Sequence, residues 1–228
     1  MSNFLIENYL SLKKEIKEIS EKCGRNKDEI TLVAVSKNFP SEYIKSIYDV
    51  EQIDFGENKA QELIDKCKQL KDLNITWHFL GRIQTNKIKY IVPIAEYIHS
   101  VCRKKELDEI QKRVESIKKT QKIFLEVNVS GEESKAGLTP HQLKDFLEMA
   151  TTYKNISVVG LMTMAPFTKD TNIIRNTFST LREIKNDLIK SYPSIKELSM
   201  GMTNDYKIAI EEGATFLRIG TRIFGKRV

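Results

Sequence analysis

Lys37 closes the run TLVAVSK (31–37), in which Leu32 to Ser36 are all small or apolar. Side chains alternate along a strand, so Thr31, Val33, Val35 and Lys37 share one face. If that face lines the inside of a closed sheet, the Lys37 amine stands above a column of β-branched residues. Desolvation there disfavours the charged amine and lowers its pKa. A neutral amine is the nucleophile that forms a Schiff base with an aldehyde. The plain alternative is a strand that ends on a lysine reaching into solvent. Two motifs near the C-terminus weigh against it: SMGMTND (199–205) and RIGTRIFG (218–225) place glycines and hydroxyls after the last two apolar runs. Gly201 and Gly220 let a backbone approach an anion, and Ser199, Thr203 and Thr221 can donate hydroxyl hydrogen bonds. A barrel of alternating strands and helices binds phosphate at its seventh and eighth strands in this way; turn glycines with capping hydroxyls are the bland reading. A phosphate cradle opposite an aldehyde-reactive lysine describes pyridoxal 5'-phosphate (PLP), whose ring nitrogen takes an Asp or Arg partner. Arg218 is placed to be that partner.

Those residues need elements to position them. Short apolar runs occur at 31–37, 53–58, 76–81, 97–101, 122–130, 156–165, 197–201 and 216–220. Several are apolar at nearly every position, as parallel strands buried on both faces are. Amphipathic stretches separate them. Leu107, Ile110, Val114 and Ile117 share one helical face, as do Ile174, Phe178, Leu181, Ile184 and Leu188. Thr139 reads as an N-cap with Pro140 at the first helical position. An additional helix over 3–22 carries the stripe Leu5, Tyr9, Leu12, Ile16 and Ile19. The pattern predicts an α/β fold, a single (β/α)8 TIM barrel spanning 1–228 with an extra N-terminal helix. An open doubly wound sheet would want a glycine-rich turn after the first strand, and SKNFPS has no glycine. Polar residues gather where the apolar runs stop: Glu57 and Asn58 in FGEN, and His78, Arg82, Gln84 and Asn86 in HFLGRIQTNK.

With 37 basic and 31 acidic residues among 228, the formal charge is +6. The lysines alternate with glutamates, as in LKKEIKEISEK (12–22), which is the pattern of a solvated helix face rather than a nucleic-acid footprint. Cys23, Cys67 and Cys102 are far apart and odd in number, which argues against a disulfide framework or a zinc site. MSNFLIENYL lacks the basic start and apolar run of a secretory signal, and no apolar stretch approaches membrane-spanning length. The expectation is a cytoplasmic, reduced, soluble protein that binds no metal or membrane.

The set VAVSK, FGEN, WHFLGRIQTNK, EVNVSGEESKAG, GLMTMAP and LSMGMTNDYKIAIEEGATFLRIGTRIFG resembles the YggS/PROSC family of pyridoxal-phosphate homeostasis proteins, over about 30 to 228. The resemblance implies a barrel related to the N-terminal domain of alanine racemase, with PLP held as an aldimine on Lys37. It also implies contact with Asn58, Arg218 at the ring nitrogen, and Ser199, Thr203, Gly220 and Thr221 around the phosphate. Lys135, in ESKAG, matches a second lysine near the site, and Lys226 is a further candidate for a second PLP. Members of the family are regarded as carriers or regulators acting on vitamin B6 and amino-acid pools, with PLP-dependent apo-enzymes as recipients. Arginine donates to the ring nitrogen and leaves it unprotonated, so the ring is a weak electron sink. A racemase's second base is implied to come from another domain, and the sequence as read stops at Val228. The reading is therefore a PLP carrier, a monomer, and not an enzyme. The alternative is a PLP-dependent amino-acid enzyme of racemase type with His78, Tyr206 or Lys135 as base. For His78 the structural alternative is packing beside Trp77 and Phe79, and His99 and His141 read as structural. Met162 belongs to the Met-rich GLMTMAP stretch, which fits either a ligand rim or barrel packing.

Overall fold

In a computed structural model that describes residues 2–132 and 135–226, eight parallel strands close into a barrel in sequence order. The chain runs α1 (Ser2–Lys22), β1 (Thr31–Val35), α2 (Ser41–Tyr48), β2 (Asp54–Glu57), α3 (Ala60–Gln69), β3 (Thr76–Phe79), α4 (Ile88–Ile91) and β4 (Tyr97–Val101). It continues through α5 (Lys104–Ile117), β5 (Gln121–Glu126), α6 (Pro140–Thr151), β6 (Ile156–Met162) and α7 (Thr171–Leu188). It ends with β7 (Glu197–Ser199), α8 (Tyr206–Glu211), β8 (Phe216–Ile219) and α9 (Thr221–Phe224). β1 closes the barrel by pairing with β8, Val33 opposite Arg218. Val228, where the sequence stops, lies outside the described residues.

Two cores follow from the alternation of strand side chains. Val33, Phe124, Met162 and Phe216 pack inside the barrel, while their outward neighbours join the larger core beneath the helices. That parity places Val35, and Lys37 beyond it, on the inner side. The helices start where their sequences dictate. Thr139 Oγ1 accepts from Gln142 N while Gln142 Oε1 accepts from Thr139 N, a reciprocal cap ahead of Pro140. Asp170 caps α7 by accepting from Asn172 N. The stripe of α1 is buried at Leu5, Tyr9, Leu12 and Ile16, and the helix packs on α2, α8 and α9.

Every strand but β4 ends before its apolar run does, β5 and β6 most of all. β5 stops at Glu126 instead of reaching 130, because Val127 makes only an isolated bridge to Leu138 before the chain turns. β6 stops at Met162 rather than 165, and β7 matches only its last three residues. Ile117 leaves the α5 stripe and is exposed, since it falls at the helix terminus ahead of the left-handed Lys118.

Candidate functional site

Lys37 follows the end of β1 by two residues and lines a cavity of about 500 Å³ at the C-terminal mouth of the barrel. Asn58, Thr203, Arg218, Gly220 and Thr221 line the same cavity, so six of the eight expected residues meet there. Val35 and Leu80 add apolar surface, and Met164, Met202 and the fully exposed Phe167 stand at its rim. Six elements or their following loops therefore converge on one space.

The segment carrying Lys37 is anchored on both sides. Glu57 is wholly buried on the outer face of β2, and its Oε1 accepts from Ser36 Oγ at 2.6 Å and from Lys66 Nζ at 2.6 Å. Lys66 also donates to the Ser36 carbonyl at 2.8 Å, so the hydroxyl and the carbonyl of the residue before Lys37 are both held by this pair. On the other side, Asn38 N donates to Glu62 Oε2 at 2.7 Å, with Asn38 in the left-handed region (φ 64°) that Asn tolerates. Burial pushes the Glu57 carboxyl up from its ordinary pKa, against the pull of Lys66 and Ser36. Nothing in the sequence paired Glu57 with Lys66, because the two meet only once β2 and α3 are docked.

Arg218 is 6% exposed, and burial brings its pKa down to about 10, so it remains a cation at neutral pH. Nη1 donates to Ser199 Oγ at 2.5 Å and Nη2 to the Thr163 carbonyl at 2.9 Å. Asn58 Oδ1 is buried and accepts no hydrogen bond within the protein. Asp205 accepts from Met202 N at 2.5 Å and so shapes the 202–205 turn, while Gly220 and Thr221 open α9, whose first N–H groups have no acceptor within the helix. Close strand ends hold Asn58 in place: a Cβ on Gly81 would fall 1.9 Å from the Asn58 carbonyl oxygen.

Several expected residues lie elsewhere. Ser199 is still within β7, points into the barrel beneath Arg218 and does not reach the cavity. Gly201 is also buried away from it; its φ of 94° and the closeness of Ala209, 2.6 Å from a would-be Cβ, make it the point where α8 packs. Met162 packs inside the barrel with Val33, Phe124 and Phe216 rather than at the rim. His78 neither reaches the cavity nor packs beside Trp77 and Phe79: adjacent strand residues face opposite ways, so it stacks on Tyr97 inside, at 4.8 Å. Its ring nitrogens meet His99 and Asp54. The Tyr206 hydroxyl donates outward to Glu15 of α1 at 2.5 Å, which removes it as a base. Lys135 pairs with Glu132 at 2.8 Å and reaches the Met164 carbonyl behind the rim at 3.3 Å. Lys226 lines a separate cavity with Phe39 and Tyr43. Arg82, Gln84 and Asn86 line a distinct cleft with Arg103. His141 is exposed on α6.

The chain matches the alanine racemase N-terminal domain family over residues 9–228. It is similar to the pyridoxal phosphate homeostasis protein of Aquifex aeolicus, 43% identical over 213 residues that cover 93% of each chain. Its structure is similar to that of PipY from Synechococcus elongatus PCC7942, solved with PLP bound, with a TM-score of 0.82 and 32% identity over 92% of this chain and 100% of that one. The alanine racemase of Clostridium difficile shares the fold, with a TM-score of 0.74 at 13% identity, over 99% of this chain and 57% of the racemase. A barrel closed in sequence order, a lysine at the end of β1 and these full-length matches agree: the chain belongs to the family of pyridoxal phosphate homeostasis proteins built on the alanine racemase N-terminal domain.

Proposed function

We propose that this protein holds PLP on Lys37 and buffers or delivers it, within vitamin B6 and amino-acid homeostasis. The observation that carries this reading is the meeting of Lys37 and Arg218 in one cavity with Thr203, Gly220 and Thr221. Its volume of about 500 Å³ suits a small phosphorylated ring. Asn58 Oδ1, buried without a partner, is the acceptor that a ligand donor would satisfy. PLP supplies an aldehyde that condenses with an amine and a phosphate dianion. Lys37 would provide the amine, the turns at 203 and 220–221 hydroxyl and backbone donors, and Arg218 a lasting cationic donor for the ring nitrogen. The PLP bound in PipY supports the same role here.

The carrier reading draws support from the placement of the bases. His78 and Tyr206 point away from the cavity, and Lys135 is paired with Glu132. The unpaired Cys23, Cys67 and Cys102 suit a reducing, cytoplasmic setting, and no described helix is long and apolar enough to cross a membrane. The working unit is taken as a single 1–228 barrel acting as a monomer, with apo-enzymes as recipients.

Absorption spectra with PLP, before and after borohydride, test the site: wild type traps a label on Lys37 and Lys37→Ala does not. A colourless protein, or trapping on other lysines alone, overturns it. Transfer to a PLP-requiring apo-enzyme at a rate at least equal to that of free PLP is expected, and slower transfer removes delivery. Lys37-dependent deuterium exchange at Cα of amino acids would replace the carrier reading with an enzyme.

A further inference from the structure

A line of polar side chains runs through the barrel from the cavity to the opposite end. Arg218 Nη1 meets Ser199 Oγ at 2.5 Å, Ser199 Oγ meets His99 Nδ1 at 2.7 Å, and His99 Nε2 meets His78 Nδ1 at 3.0 Å. His78 Nε2 then meets Asp54 Oδ1 at 2.9 Å. Asp54 is the first residue of β2 and lines a cleft at the barrel base with Lys13, Lys17 and Glu51. Ser199, His78 and His99 are wholly buried, and the rings are clamped by Tyr97 and Phe124, at 4.8 and 4.3 Å.

The chemistry of the two ends fixes every proton between them. An ionised carboxylate only accepts and a guanidinium only donates. Asp54 therefore accepts from the His78 Nε2–H, which leaves Nδ1 of a neutral His78 as an acceptor. His99 must then carry its proton on Nε2, so its Nδ1 accepts from the Ser199 hydroxyl. With that proton committed, the Ser199 lone pairs face Arg218. All four bonds point from Arg218 toward Asp54. Burial holds both rings neutral by lowering their pKa; Asp54 and Glu96 oppose this at His78, while His78 and Arg218 add to it at His99. Arginine does not give up its proton, so the line orients and does not conduct.

We propose that Ser199, His99, His78 and Asp54 are positioning residues that lock the Arg218 guanidinium and decide which of its N–H groups face the cavity. Together with the Thr163 carbonyl, they engage one hydrogen on each terminal nitrogen and fix the plane of the group. The consequence for ligand binding rests on PLP occupying that cavity.

Nitrogen-15 NMR of the full chain without PLP tests the line itself. Both His78 and His99 are expected neutral and protonated on Nε2 at pH 7, with distinct, slowly exchanging Nη signals for Arg218 that merge in Ser199→Ala. A proton on His99 Nδ1, or Nη signals unchanged in Ser199→Ala, overturns the proposal. PLP titration tests the effect on the cavity. Ser199→Ala should weaken binding by about tenfold, as loss of a charge-assisted bond does, and shift the absorption of bound PLP. Asp54→Leu, at the far end, should weaken binding in the same direction, while Asp54→Asn, which keeps an acceptor, should restore most of it. Wild-type affinity and spectrum in both Ser199→Ala and Asp54→Leu would refute positioning. If wild type fails to bind PLP on Lys37, the cofactor reading falls, and the NMR results still judge the line.

Discussion

Lys66→Met isolates the buried pair that anchors the Lys37 segment. Methionine keeps the unbranched apolar stem and removes the amine. The Lys66 and Glu57 side chains are 7% and 0% exposed, so water cannot replace the lost partner. Glu57 Oε2 has no partner already, and the variant leaves only the Ser36 hydroxyl on Oε1. Breaking a buried pair from one side costs about 3–5 kcal/mol, against about 0–1 for an exposed pair. At about 2–4 °C per kcal/mol for a chain of this size, Tm falls by about 6–20 °C. The sign with pH is defined. Burial already raises the Glu57 carboxyl, and losing Lys66 raises it further. A carboxyl with a raised folded pKa favours the fold below its unfolded pKa, and that contribution is lost as pH rises through the folded value. The penalty is therefore larger at pH 8 than at pH 5, and Glu57→Gln added to Lys66→Met recovers part of it. Thermal and urea unfolding followed by circular dichroism give both numbers. A Tm loss under about 3 °C, as a solvated pair would give, or a penalty that grows toward acid would refute the reasoning. The same variant frees the Ser36 carbonyl, so PLP retention on Lys37 should fall with it.

Other variants and conditions test the remaining geometry. The depressed pKa values of His78 and His99 mean that the unfolded chain takes up protons the folded one refuses, so stability is full above about pH 6.5 and falls as pH drops. Two such groups contribute at most about 2.7 kcal/mol per pH unit, opposed by raised carboxyls such as Glu57 and Glu126, so the test is by NMR: imidazole signals of His78 or His99 that titrate between pH 7 and 5 would remove the neutral assignment. Gly81→Ala must push the 58 and 81 backbones apart, and it should lose stability and PLP binding together; an unperturbed variant would contradict the 1.9 Å approach. Tyr206→Phe removes one bond to Glu15, which Arg222 continues to hold at 2.6 Å, so it should cost about 1 kcal/mol and leave PLP affinity unchanged. Lost affinity would return α8 to the site.

The barrel was legible because buried parallel strands are written as continuous apolar runs and each is followed by an amphipathic stretch. The mouth was legible for the same reason, since polar residues just past a strand end have one place to go. What failed was the step from motif to depth. SMGMTND reads as one unit, yet its Ser199 is the last residue of β7 and faces the barrel axis, while Thr203 lies beyond the strand and reaches the cavity. A difference of four residues across a strand end separates a cavity wall from an interior support. His78 was legible only as polar and near a mouth. Counting alternation through Val33, Val35 and Lys37 and carrying it across paired strands would have put His78 inside. The pairing of Val33 with Arg218, and of Ser199 with Phe216, then ties the inner sides of β1, β7 and β8 together. Register, unlike composition, is not written in any one segment: it emerges when the barrel closes. That is why the residues lining the cavity were readable one by one, while those that support them, Glu57 with Lys66 and His99 with Ser199, became visible only in pairs.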